Sequence, residues 1–216
     1  LAVMGMIVSR FKGGKILSVD YNKLEPLLMS WEAGDEKMFD FFYNGKGYID
    51  IARELWGKTV TEDSTEYRTT KSISLGVNYD LQSTNMAKKL YLELGIRFAK
   101  RWDDHVRITD GYRRKYLDMF PGIKHYIRER EAELLEKSGV YTATGAFRHL
   151  PCLQGRNTEG FWHLRKEAIN SPIQGLAAAV TGSAMIDCEA ALLKEHNLSY
   201  VDYQTALLNS PKENLR

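Results

Sequence analysis

Between residues 24 and 137, glycine and proline cut the chain into one helical segment after another, and strand-like patterns occur only near its two ends. A chain ordered this way predicts an α+β fold that is mostly helical, a small platform carrying a helical insertion. Lys15 to Asp20 has the pattern of a buried strand that leaves the Gly13-Gly14 turn and ends on an acid. Leu24 to Trp31 is helical, with Pro26 tolerated in its first turn. Gly34-Asp35 and Asn44 to Gly47 are turn signals, and Tyr48 to Trp56 is a short helix closed by Gly57. Helices follow over Thr65 to Leu81, Ser83 to Leu94 (ended by Gly95), Phe98 to Phe120 (stopped by Pro121-Gly122) and Ile123 to Glu136. Gly139 to Gly145 alternates like a strand, and Leu150 to Phe161 is loop-like. Pro172 then opens an alanine-rich helix to about Lys194.

With 216 residues and 44% hydrophobic side chains, the chain can bury a sizeable core. Thirty Lys and Arg face 28 Asp and Glu, a net charge of +2, so total charge announces no polyanionic partner. Basic clusters at Lys100-Arg101, Arg113 to Lys115, Arg128/Arg130 and Arg165-Lys166 read either as a local basic face or as solvated helix faces. Cys152 and Cys188 form no disulfide framework, which suits a reducing, cytoplasmic setting. No apolar run approaches the roughly 20 residues of a membrane span, and no signal peptide is expected. A start at Leu1 reads as a fragment.

Three constellations can carry chemistry. Asp20, at the end of an apolar strand, offers hard oxygens to a divalent cation, and Glu25 begins the next helix within reach of the same cleft; the same spacing also suits an Asp that caps that helix. Arg68, Lys71, Leu75 and Tyr79, three or four residues apart, put two cations, an apolar surface and an aromatic ring on one helical stripe. An ordinary amphipathic helix has that pattern too, but Gly76 inside it signals a close approach. Lys166, Asn170 and Gln174 offer a cation and two amides, groups able to read acceptors in the DNA minor groove, although Asn170 can equally cap a helix ahead of Pro172.

In this order, the constellations resemble the motifs of family A (DNA polymerase I-like) DNA polymerases. Asp20-Tyr21-xx-Leu24-Glu25 is similar to the family's DYSxIE, Lys71-xxx-Leu75-Gly76-xx-Tyr79 to its fingers motif KxxxFGxxY, and Asn170-x-Pro172-Ile173-Gln174-Gly175 to its NxPxQG. Gly34-Asp35, Phe120-Pro121-Gly122, Gly139 to Gly145 and Leu150-Pro151 also fall where the family has SGD, FPG, GYxxTxxG and LP. The resemblance implies a partial polymerase palm with a helical fingers insertion: palm over 1–35, fingers over 36–165, and palm again over 166–216, truncated before the second metal-binding Asp. It implies template-directed DNA synthesis from dNTPs on primer–template DNA, with two Mg²⁺ ions. Asp20 and the Tyr21 carbonyl would bind metal, while Lys71 and Arg68 would meet the triphosphate and Leu75 the incoming nucleotide. Glu25, held by Tyr79, would reject a ribose 2′-hydroxyl, and Lys166, Asn170 and Gln174 would contact DNA. A non-catalytic primer–template binding module derived from such a polymerase is the alternative.

Several family positions are altered. Tyr67 stands where the family has a triphosphate-binding Arg, Asp50 where it has His, Leu75 where it has an aromatic, and Asp80 where it has Gly. Ala146-Phe147 replace two arginines, and Lys166 replaces Arg. A divergent, phage-like member is expected. No His-Asp pair follows the alanine-rich helix, so the second metal-binding carboxylate is expected from Asp202 as a displaced substitute or from a separate C-terminal polymerase segment.

Overall fold

The computed structural model describes residues 18–151 and 159–195, together with residues 197, 199 and 201. These residues contain α1 (Leu24–Glu32), α2 (Glu36–Tyr43), α3 (Tyr48–Trp56), α4 (Thr65–Asn78), α5 (Ser83–Leu94), α6 (Trp102–Met119), α7 (Pro121–Lys137), β1 (Gly139–Tyr141), β2 (Phe147–His149) and α8 (Glu159–Glu195). The fold is mostly helical with one two-stranded antiparallel sheet, as the pattern predicts. Lys23–Ala179 forms one compact unit, and Leu1–Asn22 with Val180–Arg216 forms the other, so α8 begins in the first and ends in the second.

In the unit Lys23–Ala179, the turn motifs explain how the helices meet. Gly34, at φ 58°, ends α1: its N–H bonds to the Trp31 carbonyl and the Asp35 N–H to that of Ser30, the paired bonds of a Schellman cap. Asp35 then starts two helices at once. One carboxylate oxygen accepts the Met38 N–H at the start of α2 (3.0 Å), and the other accepts the Gly122 N–H at the start of α7 (3.0 Å). Gly122 must lack a side chain, because a Cβ there would stand 2.6 Å from the Ala33 carbonyl oxygen. Gly34-Asp35 and Pro121-Gly122 thus form one junction. The main core, including Met38, Ile51, Ile73, Leu90 and Phe120, lies inside these helices. A second cluster of Leu134, Val140, Leu150, Phe161 and Ala168 seats the hairpin on α7 and α8.

Several elements differ from the sequence pattern: β1 ends at Tyr141 rather than Gly145, and β2 was not expected. Helix α2 was not anticipated, because its start depends on the Asp35 cap. Helix α6 begins at Trp102 rather than Phe98, since Arg101 is extended (ψ 138°) and the Arg97 guanidinium ties the preceding loop to the Ala99 carbonyl. Helix α4 stops at Asn78, three residues before Leu81. Pro172 lies inside α8 and does not open it. There the ring removes the donor for the Ala168 carbonyl, and the buried Tyr126 hydroxyl donates to the adjoining Ile169 carbonyl at 2.8 Å.

In the other unit, Ser18 to Asp20 have no regular secondary structure, and the rest of the expected strand lies outside the described residues, as do Cys152 and the C-terminal tail. The second part of α8 exposes Met185, Ile186 and Leu192. By length and composition, Gly160–Glu195 is long and apolar enough to cross a membrane, contrary to the expectation from sequence runs. Asn170, Ser171, Gln174 and Thr181 interrupt the apolar run in sequence, but residues 168–186 carry no charge. Its first turns are packed in protein, with Phe161, Ala168, Ile169 and Ile173 buried.

Asp35→Ala is expected to lower stability by about 2 kcal/mol, because two helix N-termini lose their acceptor. Asp35→Asn, which keeps one acceptor, is expected to cost about half as much. Urea denaturation followed by circular dichroism checks both.

Candidate functional site

Helix α4 organises the site. Ser64 caps it by accepting the Tyr67 N–H at 3.1 Å, and Ile73, Ser74, Gly76 and Val77 face the core. The opposite face carries Arg68 and Lys71, both exposed, then the partly buried Leu75 and Tyr79. The stripe expected from spacing is therefore the accessible face of this helix. Gly76 serves packing: a Cβ there would meet Met86 Cε at 3.0 Å and Leu81 Cδ2 at 3.1 Å. Leu81 and Met86 are the close approach its position signalled.

The Tyr79 hydroxyl donates to Glu25 Oε2 at 3.1 Å, joining α1 to the end of α4 across 54 residues. Burial raises the Tyr79 pKa well above the usual tyrosine range, and the negative charge of Glu25 and this hydrogen bond raise it further. Tyr48 is raised likewise, first by burial and then by Tyr67 and Glu25. The Lys71 ammonium lies 5.9 Å from the centroid of the Tyr48 ring. Arg68 Nη2 reaches only its neighbour Thr65 Oγ1, at 3.4 Å. Neither cation is in an ion pair among the described residues, so both keep their charge available for an anion.

The altered positions have intramolecular roles. Tyr67 packs edge-on against Tyr48, with ring centroids 6.2 Å apart. Asp50 turns back to its own helix start, accepting the Lys46 N–H at 2.6 Å and pairing with Arg53 at 3.2 Å. Asp80 occupies the left-handed region at φ 53°, where glycine is least strained. Its N–H bonds to Val77 and the Leu81 N–H to Gly76, which ends α4 in a Schellman cap. Its carboxylate binds Arg113 of α6 at 3.0 Å and Arg165 of α8, and Arg165 Nε also binds Glu131 of α7 at 2.7 Å. These side chains are shielded: Asp80 is 7% exposed, Arg165 11% and Arg113 16%. The network was not anticipated, although Asp80 in place of Gly was its signal. Two basic clusters of the sequence are thereby drawn into ion pairs. Arg130 pairs similarly with Glu133 (2.8 Å) and Arg114 with Asp110 (2.6 Å), so these cations form no free basic face.

On α8, Lys166, Asn170 and Gln174 follow at intervals of four, with Lys166 and Gln174 exposed. Asn170 lies within the helix and caps nothing; its Oδ1 is shielded from solvent and accepts no hydrogen bond. Gly175 admits Thr142 of the hairpin, whose Cγ2 lies 2.7 Å from where a Cβ would stand. In the other unit, Asp20 and Tyr21 are exposed. The N-cap position of α1 is Lys23, with no capping side chain. Asp202 lies outside the described residues. Among the described residues, no cluster of three or more His, Cys, Asp or Glu side chains is placed to hold a metal ion.

The sequence profile of DNA polymerase family A matches residues 2–206. The chain belongs to that family. It is 32% identical over 84% of its length to DNA polymerase I of Lactococcus lactis subsp. lactis, covering 20% of that protein. It is 28% identical over 84% of its length to the DNA polymerase of Bacillus phage SP01, covering 19% of it. The chain thus spans about a fifth of the length of these curated relatives. Its fold matches the POL domain of Pol1 from M. smegmatis, a structure in complex with DNA primer-template and dNTP, with a TM-score of 0.68 over 83% of this chain and 30% of that one, at 24% identity.

Two outcomes follow for this family A segment. Asp80→Ala is expected to cost about 3 kcal/mol, since the shielded Arg113 loses its carboxylate and the shielded Arg165 one of its two. Asp80→Gly is expected to be about 1 kcal/mol milder, since glycine accepts the positive φ; urea unfolding of both variants measures the difference. Second, the unfolded chain ionises its tyrosines near pH 10.0, whereas folded Tyr48 and Tyr79 retain their protons. Their contribution is therefore complete below pH 10 and is lost as pH climbs beyond it. Denaturant midpoints measured from pH 8 to 11 should fall above pH 10, and less steeply in Tyr79→Phe.

Proposed function

We propose that this chain supplies the nucleotide-binding surface and part of the catalytic centre for template-directed DNA synthesis, the transfer of a nucleotide from a dNTP to a primer 3′ end. The observation that carries this reading is the Arg68, Lys71, Leu75, Tyr79 face of α4, with the Tyr79 hydroxyl fixed on Glu25. Two cations one turn apart, in no ion pair among the described residues, suit a triphosphate, and charge-assisted contacts of that kind are the strong ones. Leu75, next along the face, offers an apolar surface to the base or sugar. The Tyr79 hydrogen bond holds Glu25 in one orientation, where its carboxylate excludes a ribose 2′-hydroxyl. Lys166 and Gln174 are the accessible groups on α8 for primer–template DNA, with Asn170 between them. We assign palm to 1–35 and 166–216 and fingers to 36–165; the separation of the terminal segments from Lys23–Ala179 supports a two-part reading, with its own divisions after Asn22 and Ala179. An intracellular setting goes with this reading.

Family A polymerases generally use Mg²⁺. Asp20 has hard oxygens suited to that ion, but a single carboxylate does not fit a pair of mutually repelling divalent cations. The described residues are thus half of a metal centre. Its completion is proposed to come from Asp202 or from a C-terminal polymerase segment.

The second reading is a primer–template binding module without catalysis. It is favoured by Tyr67 and Asp50, whose side chains are engaged internally at positions where the family meets phosphate. Such a module binds DNA but gains no thermal stability from dNTP with Mg²⁺.

Primer extension with Mg²⁺, with and without the C-terminal polymerase segment of the same source, tests the first reading. The completed enzyme is expected to extend the primer, and Asp20→Ala to abolish extension; full activity in Asp20→Ala would overturn the assignment.

A further inference from the structure

The hairpin β1–β2 has an outer face that no part of the proposed chemistry uses. Tyr141 pairs with Phe147 across the strands and Gly139 with His149, so these four residues share one face. The inner residue Val140 is buried in the second core, whereas Tyr141 is 46% exposed, Phe147 41% exposed, and His149 exposed. The rings run in a row: Tyr141 to Phe147 is 4.7 Å between centroids, and Phe147 to His149 is 6.4 Å. They are tilted against one another rather than stacked, so their faces are not used up within the hairpin.

Part of this arrangement serves the hairpin itself. The Phe147 ring covers Gly139, where a Cβ would stand 2.4 Å from Phe147 Cζ. A two-stranded hairpin needs such cover, because alone it is marginal in water. Cover does not account for the whole face, however. Tyr141 lies at the outer end of the row, with the Lys137 ammonium 5.3 Å from its centroid. The Thr142 and Thr144 hydroxyls of the turn bond to each other at 2.9 Å, and Arg148 projects from the opposite face. Lys137 also approaches Glu133 (3.4 Å) and Arg148 approaches Glu167 (4.0 Å); both cations stay largely in solvent. The face carries rings and no aliphatic side chain, with the Lys137 ammonium and the turn hydroxyls beside it.

We propose that Tyr141, Phe147 and His149 form a stacking platform for unpaired bases of single-stranded DNA, with Lys137 attracting its backbone. Rings offer their faces to bases whose own faces are free, which singles out the unpaired strand from duplex, where bases already stack on one another. The turn of the hairpin abuts Gly175, beside Gln174, so the platform adjoins the residues assigned above to primer–template DNA. The inference rests on the DNA polymerase reading and adds to it a site for the unpaired template strand.

The 216-residue chain, labelled oligo(dT) and a blunt duplex of matching length provide the test by fluorescence anisotropy. Tyr141→Leu and Phe147→Leu keep apolar cover on the hairpin but remove the ring, and each is expected to weaken oligo(dT) binding at least about fivefold, from the known worth of one base–aromatic stack. Duplex affinity should change little, and Phe147→Trp should restore or exceed wild-type oligo(dT) binding. Should the leucine variants unfold, Phe147→Trp decides alone: weaker oligo(dT) binding than wild type counts against the platform. Leucine variants that melt like wild type and bind oligo(dT) equally well overturn the platform while leaving the polymerase reading intact, provided duplex is still bound. A chain that binds neither DNA overturns both.

Discussion

The carboxylate of Asp80 is the point on which four helices depend. It sits on the backbone cap that ends α4, the helix that carries the candidate nucleotide face, and holds Arg113 of α6 and Arg165 of α8, with Glu131 of α7 sharing Arg165. Ion pairs this shielded lose more by desolvation than exposed ones, but the loss is offset when each hydrogen-bonding group finds a partner. Here the Arg113 Nε also donates to the Leu81 carbonyl, in the same cap that terminates α4. The geometry at the end of α4, and so the position of Tyr79, is fixed from three sides by groups distant in sequence. A position where the resemblance expects a permissive glycine has here become an anchor, at the expense of a positive φ.

The helices were largely legible because their signals are local. Gly57 and Gly95 close α3 and α5 at the expected residues, both with left-handed backbone, and the apolar spacing of Met86, Leu90 and Leu94 gave the buried face of α5. What escaped sequence reading depends on distant partners. Helix α2 forms because the Asp35 side chain caps it, and that side chain is held in turn by Gly122, far along the chain. Pro172 reads locally as a helix start; inside α8, the Tyr126 hydroxyl of another helix meets a carbonyl in the turn that the proline disturbs. Neither effect has a periodicity to detect.

The candidate site divides along the same line. The stripe from Arg68 to Tyr79 was legible, since a single helix turns the spacing of three and four into one face. The Tyr79 to Glu25 contact was implied only by the resemblance, because no local rule pairs residues so far apart, and the structure places those atoms within hydrogen-bonding distance. The metal-binding half was legible only as Asp20, one acid after an apolar run, and Asp202 falls outside the described residues. The basic clusters stayed open between a basic face and solvated helix faces, because a run of arginines in sequence does not reveal the carboxylates of Asp80, Asp110 and Glu133 that pair with them.

The altered positions have a common physical pattern. Tyr67, Asp50, Asp80 and Phe147 all stand where the family has another residue, and in each case the new side chain is engaged within the chain: against Tyr48, at the start of α3, between two arginines, or over Gly139. These positions are filled rather than left vacant, so the departures do not amount to loosening of the fold. They concentrate the positive charge of the α4 face on Arg68 and Lys71, which under the proposed function carry the triphosphate with fewer helpers than the family's pattern supplies. Two cations in a solvent-facing setting attract an anion weakly and with strong dependence on salt. The metal ions of a completed centre then matter more to nucleotide grip here than where further arginines share the charge.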